Sequence, residues 1–130
     1  LKNYLETYAV GWAIVLSSPT LQEKFYRERL QYNRELFEVR KKAWPFAVLR
    51  CKLPVSYFQK GSGQIKASLN KIKVTGTNPA EDIVLRYRWI DTLDCRDKCG
   101  VEREPIDGDP MGFIRVPSPH PENFTIYNGY

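Results

Sequence analysis

The residues of this chain that could do chemistry are few, and their spacing favours a disulfide over a catalytic or metal site. Cys95 and Cys99 lie four positions apart, close enough for a small bridged loop in an oxidising compartment. The odd number of cysteines leaves at least one thiol unpaired within the monomer. A zinc site would need Cys51 or His120 as a further ligand, and a single Cys-x3-Cys pair is poor support for one. We therefore expect no metal and no other cofactor.

The side chains that could act as nucleophiles or bases show no catalytic arrangement. His120 lies between two prolines, with no nucleophile or carboxylate nearby in the sequence to orient it. Glycine-rich phosphate loops and the His-Glu-x-x-His motif are absent from the sequence. The carboxylates of Asp91, Asp94 and Asp97 share a segment with several basic residues, so we expect screened surface ion pairs there. The sequence thus predicts a protein that is not an enzyme.

The net charge of +5 suits an acidic partner, whether nucleic acid, an anionic membrane surface or another protein. The basic residues are spread along the chain, which favours a mildly basic, solvated surface over a binding arm. Tyr87 and Trp89 alternate with Arg86 and Arg88 and could form a base-stacking platform if the aromatic face were exposed. Burial is the ordinary outcome for such a face. A basic nucleic-acid-binding or particle-assembly module is therefore the alternative hypothesis.

The length and composition predict a single folded domain. A chain of 130 residues with 42% hydrophobic residues can bury an ordinary core, and we place this domain at residues 1–116 with a proline-rich tail at 117–130. No apolar run reaches the 18 residues that a membrane span requires. The chain begins at Leu1 and not at Met, so we expect either a processed product or a piece of a longer chain whose targeting segment lies upstream.

Apolar spacing in the first third of the chain predicts two helices. Three- and four-residue intervals define a first helix that continues to about Leu16, with a face formed by Tyr4, Leu5, Tyr8, Trp12 and Val15. Ser18 and Pro19 are suited to begin a second helix. The apolar side of this second helix would comprise Leu21, Phe25, Tyr32, Leu36 and Val39.

After Trp44-Pro45 the apolar residues alternate, which predicts strands. The first strand covers residues 49–55, and Pro54 implies that it is an edge strand or is bulged. A change of parity between residues 69 and 72 predicts a bulge or sharp bend near Asn70. The clearest strand is 83–89, and the last is 111–116. Residues 92–108 resemble a long exposed connection.

Two short segments give a resemblance to a known family. Leu16-Ser17-Ser18-Pro19 is similar to a Leu-Ser-Ser segment between helices, and Asp109-Pro110-Met111-Gly112-Phe113 is similar to an Asn-Pro-Leu-Gly-Phe segment before a last strand. With their separation and the predicted element order, they resemble the periplasmic domain of the bitopic inner-membrane scaffold subunit of type IV secretion and conjugation systems. The chain departs from that family at Asp109 and in the cysteine-containing insertion.

This resemblance implies an α+β, NTF2-like fold in which the N-terminal helices pack in the concave face of a curved antiparallel sheet. It implies a non-enzymatic assembly scaffold on the periplasmic side of the bacterial inner membrane, anchored upstream by one transmembrane helix. The expected partners are further copies of the chain and other secretion-system subunits, with no direct nucleic-acid binding. A ligand cavity in the cone would need converging polar groups, and only apolar and aromatic candidates are present. The interface candidates are Asp109, Pro110, Met111, Gly112, Phe113, Ser17 and Ser18.

Overall fold

The computed structural model describes residues 1–16 and 33–129, and most of this part of the chain is antiparallel β-sheet. It contains eleven strands and one six-residue helix. The expected NTF2-like α+β fold is therefore wrong, because the described residues include no pair of helices packed in a curved sheet. The chain divides into two compact units, Leu1–Val55 and Ser56–Tyr130. This division differs from the single domain at 1–116 expected from the sequence.

The first unit is a short helix and a three-stranded sheet. Its elements are α1 (Lys2–Thr7), β1 (Trp12–Leu16), β2 (Phe37–Ala43) and β3 (Phe46–Cys51). The strand order is β1-β3-β2, and β3 pairs antiparallel with both neighbours. The predicted edge position of the strand before Pro54 is wrong, since β3 is central and ends at Cys51 before the proline is reached.

The predicted first helix is too long, and the described end of the predicted second helix is a strand. Helix α1 ends at Thr7, and Ala9 adopts a positive φ of 48° before the chain continues as β1. Trp12–Leu16 is rich in β-branched and aromatic side chains, which pack well on a pleated surface. Leu36 lies in a turn and Val39 in β2, while residues 17–32 lie outside the described part.

The second unit is a β-sandwich of two four-stranded sheets. One sheet has the order β4-β7-β10-β9 and the other β5-β6-β11-β8, with antiparallel pairing throughout. The bounds are β4 (Phe58–Lys60), β5 (Gln64–Ser68), β6 (Lys71–Thr75), β7 (Ile83–Arg88), β8 (Leu93–Cys95), β9 (Glu102–Ile106), β10 (Asp109–Val116) and β11 (Phe124–Asn128).

Both sheets contribute alternate residues to one core. The first sheet supplies buried side chains from β7 and β10, and the second supplies them from β6, β8 and β11. Alternation of side chains along a strand turns these residues toward the space between the two sheets. The core members are Val74, Ile83, Leu85, Cys95, Ile114, Val116, Phe124 and Ile126. The strand predicted at residues 83–89 is confirmed as β7.

The bulge or sharp bend predicted near Asn70 is a tight turn, because Leu69 and Asn70 form the two-residue turn of the β5–β6 hairpin. Two other predictions for this unit need correction. The expected exposed connection at residues 92–108 contains β8 and β9. The expected tail contains β11, which pairs with β6 on one side and β8 on the other.

Candidate functional site

The segment predicted as an interface, Asp109–Phe113, is a bulge inside β10. The pairing register with β9 shifts between Asp109 and Phe113. The Asp109 Oδ1 atom accepts the backbone N–H of Met111 at 2.9 Å and that of Gly112 at 3.3 Å. Its Oδ2 atom accepts a hydrogen bond from the guanidinium of Arg88 on β7. One carboxylate therefore fixes the bulge and ties it to the neighbouring strand.

The bulge leaves little of this segment accessible to a partner. Gly112 has a φ of +69°, and a Cβ there would overlap the backbone carbonyl of Glu104. Phe113 is buried, while Pro110 and Met111 are exposed. An interface role for the segment stays a prediction that only these two exposed side chains could serve. Ser17 and Ser18 lie outside the described residues.

His120 is a buried structural residue, contrary to the exposed tail position expected from the sequence. Its Nδ1 atom lies 2.8 Å from the carbonyl oxygen of Pro121, and its Nε2 atom lies 2.8 Å from that of Glu81. The ring meets that of Phe124 edge-on at 5.3 Å. Both ring nitrogens are thus engaged by backbone carbonyls, which fits a role in joining two loops.

Cys95 and Cys99 form a disulfide, with their Cα atoms 5.5 Å apart, and Cys51 is a buried free thiol in the first unit. The disulfide closes a small loop that lies against β11. Within this loop the Asp97 Oδ2 atom accepts the Thr125 N–H at 2.7 Å, and the Arg96 guanidinium lies 5.0 Å from the centre of the Tyr127 ring. Among the described residues no group of three or more His, Cys, Asp or Glu side chains could hold a metal ion.

Two of the three carboxylates expected to form surface ion pairs accept hydrogen bonds from neutral groups. Asp91 accepts the indole N–H of Trp89 at 2.9 Å, and Asp97 accepts a backbone N–H as described above. A cluster of charged groups lies elsewhere, at Asp82. Its carboxylate accepts the Ser118 N–H at 2.9 Å and an Arg115 N–H at 2.7 Å, with the Lys60 ammonium at 3.8 Å. These groups join β10, the start of β7 and the loop after Val116.

The aromatic side of β7 faces the core, as the sequence predicted. Tyr87 and Trp89 pack against the core residues. Burial raises the pKa of Tyr87, and its ring stacks on Tyr57 with centroids 5.4 Å apart. The aromatic residues are consequently not an open platform for stacking nucleic-acid bases.

One exposed face of the first unit is apolar, and we call it the N-terminal apolar face: Trp12, Ile14, Phe46 and Val48. On this face Ile14 of β1 lies opposite Val48 of β3, and Lys41 of β2 lies opposite Val48 on its other side. Ile14 is 72% exposed, Trp12 is 58% exposed and Phe46 is 48% exposed. The opposite side of β3 is buried, with Leu49 only 1% exposed. In the sequence, apolar residues at alternate positions, Trp12 and Ile14, indicated this face. The three- and four-residue spacing that continues to Val15 predicted a helix instead.

A second exposed face, on the outer side of the β5-β6-β11-β8 sheet, is basic. We call it the lysine face: Lys66, Lys71 and Lys73 with Arg96 and Tyr127. Lys66 lies directly opposite Lys73, and Lys71 lies beside Tyr127. The three lysines are exposed, and none of them forms an ion pair with another described residue. Lysines at alternate positions on both sides of a tight turn were the sequence signal for this face, and we did not predict it.

No family model, curated protein or solved structure matches this chain. The resemblance to type IV secretion scaffolds therefore stays a prediction, and the fold that it implied is not the fold observed. Across residues 1–16 and 33–129 no helix is long and apolar enough to cross a membrane. The two exposed faces are the features on which a function can be argued.

Proposed function

We propose that this chain is a non-enzymatic assembly domain that self-associates through its N-terminal apolar face. The observation that carries this proposal is a three-stranded sheet with apolar residues on both sides, of which only one side is buried within the described chain. A sheet normally buries its apolar side against a second layer. Contiguous exposed apolar patches mark interaction surfaces.

A second copy of the chain suits this face as the second layer. Two sheets pack face to face about 10 Å apart, and apolar side chains from both sheets fill that space. Beside the apolar residues Arg50 lies opposite Glu38, so the rim carries both charges next to each other. A two-fold contact requires a self-complementary surface, and neighbouring opposite charges at its rim meet that requirement.

Of the secretion-system hypothesis, we keep only the general role of an assembly scaffold. A scaffold that works through exposed surface is retained, whereas membership of a type IV machine rested on two short segments and implied a fold that is not the fold observed. The Cys95–Cys99 disulfide supports an oxidising compartment, such as a bacterial periplasm, because disulfides persist poorly in reducing cytosol. Localisation at the inner membrane and contacts with other subunits remain part of this proposal.

Sedimentation velocity over a range of protein concentrations tests the proposal. We expect a reversible dimer for the natural chain and a monomer for Ile14→Lys. Burying one isoleucine in each of two copies is worth roughly 3 kcal/mol, or more than a hundredfold in the dissociation constant. The matched control is Leu69→Lys, since Leu69 is 96% exposed at the β5–β6 turn of the other unit.

The control should dimerise like the natural chain. A natural chain that is monomeric at every concentration would contradict self-association. If that monomer then bound anionic vesicles and lost this binding in Ile14→Lys, the face would be a membrane surface and not a subunit contact.

A further inference from the structure

The lysine face carries a pair of like charges that the neighbouring strand residues do not compensate. Lys66 and Lys73 lie directly opposite each other on neighbouring antiparallel strands, a placement that destabilises a sheet. Thr125, on the other side of Lys73, brings no negative charge. Lys71 adds a third ammonium on the same side of the same strand, two residues from Lys73. An anionic ligand seated across these strands would remove the repulsion.

The positive charge here is local and does not follow from the net charge of the unit. Residues 56–130 contain ten basic and ten acidic side chains, so this unit is neutral as a whole. Strands β5 and β6 contain no acidic residue, and Asp94 lies on β8 beyond Tyr127. Three lysines on β5 and β6 therefore form a positive strip, with Asp94 on its β8 side. At the backbone its charges are spaced by about 5 Å across the strands and about 7 Å along them.

The disulfide loop extends the strip to a fourth cation. Arg96, inside the Cys95–Cys99 loop, is placed over the Tyr127 ring, and Tyr127 lies next to Lys71 across the sheet. The Asp97 hydrogen bond to the Thr125 N–H fixes the same loop on β11. The loop thus positions Arg96 while its one carboxylate is engaged by the backbone.

The geometry points to an acidic polysaccharide as the ligand: we propose that the lysine face binds a linear glycan bearing sulfate, phosphate or carboxylate groups. Between the cations the surface offers hydroxyl groups, from Ser68, Thr75 and Thr125, which suit sugar hydroxyls. A single-stranded nucleic acid would need free aromatic rings for base stacking, whereas Tyr127 is already stacked by Arg96. The disulfide agrees with an extracytoplasmic site, where acidic glycans occur.

Binding of labelled heparin to the full chain, followed by fluorescence anisotropy at several salt concentrations, tests this site. The key variant is Lys66→Glu, because it replaces the repulsive pair with an attractive one and should raise the melting temperature while weakening binding. Lys66→Gln should weaken heparin binding by about tenfold at 0.1 M salt and reduce the salt slope by about one. Reduction of the disulfide should also weaken binding, since Arg96 loses its placement.

The matched control is Lys42→Glu, which makes the same charge change at an exposed position of β2 in the other unit. It should bind heparin within about twofold of the natural chain, because it lies outside the strip. Equal losses in Lys66→Glu and Lys42→Glu would overturn the proposal in favour of binding by net charge. An oligothymidylate that binds more tightly than heparin, with the same dependence on Lys66, would make the ligand a nucleic acid and would also overturn it. Failure of heparin to bind at low salt would have the same effect. None of these results depends on self-association through the N-terminal apolar face.

Discussion

Asp82 connects three parts of the second unit through one carboxylate, and this makes its ionisation part of the fold. The Ser118 N–H and the Arg115 guanidinium hold the pKa of the Asp82 carboxyl down, from its ordinary 3.8 to about 2. A lowered native pKa stabilises the folded state above the unfolded pKa, and this contribution is lost as the pH falls toward the native value. The relevant window therefore lies between about pH 4 and about pH 2.

We expect Asp82→Asn to lower the unfolding free energy at about pH 5, and to reduce the further loss of stability as the pH falls to about 2. Urea denaturation at each pH measures both effects. Asp107→Asn, in the exposed β9–β10 turn, is the control and should follow the natural chain. A natural chain and Asp82→Asn with parallel pH profiles would show that the Asp82 contacts do not contribute.

Gly112 is required by the bulge in β10 for two separate reasons. Its positive φ disfavours any residue with a Cβ, and the Glu104 carbonyl occupies the space that a Cβ would need. Gly108, in the adjoining turn, has a similar φ of +72° but open space around it. The pair therefore separates backbone strain from steric overlap.

We expect Gly108→Ala to cost about 1 kcal/mol and Gly112→Ala at least about 2 kcal/mol more in unfolding free energy. Thermal or urea denaturation of both variants provides the comparison. Equal losses would mean that the bulge opens without cost. A Gly112→Ala protein of unchanged stability but altered assembly would instead support the interface role predicted from the sequence.

At the scale of elements, the success of each prediction depended on how local its signal was. Strand β7 was found because apolar residues recur at every second position from Ile83 to Trp89, so a single period fits, although Val84 is buried as well. Over the five residues of β1, helical and strand spacing coincide, and only the pairing with β3 decides between them. Strands β8 and β9 carry few buried residues and are held by distant partners. Such long-range pairing cannot be read from a local window.

Substitutions in β11 test whether this segment is part of the fold or a free tail. Phe124 is buried between the sheets, and Thr125 points to the outer side. We expect Phe124→Ala to lower the unfolding free energy by about 3–5 kcal/mol, because it leaves a cavity in the core. Thr125→Ala should be close to neutral, since the contact to Asp97 uses the backbone. A free tail would make both substitutions neutral.

At the scale of the whole molecule, the charge is partitioned between the two units. Residues 1–55 contain ten basic and five acidic side chains, and residues 56–130 contain ten of each. The net charge of +5 thus belongs to the first unit: basic residues occur along the whole chain, as expected, but the excess of positive charge does not. The candidate sites could not be predicted from the sequence either, because the lysine face and the N-terminal apolar face each combine residues from separate strands.

The two segments that suggested a secretion scaffold illustrate a limit of short motifs. Leu16–Pro19 lies almost entirely outside the described residues, and Asp109–Phe113 forms a bulge whose shape is set by Asp109, Arg88 and the β9 backbone. A proline, a glycine and an aromatic residue in that order suit many turns. They fix a local conformation and leave the arrangement of strands open.

The central position of β11 also determines when this unit can fold during synthesis. Strands β6 and β8 meet only through β11, so the second sheet stays incomplete until Asn128 has left the ribosome. Until then the inward sides of β6, β7 and β10 lack the Phe124 and Ile126 side chains that cover them. The nascent chain must therefore expose apolar strand surface until β11 has been made, a state that favours chaperone binding over early, stepwise folding.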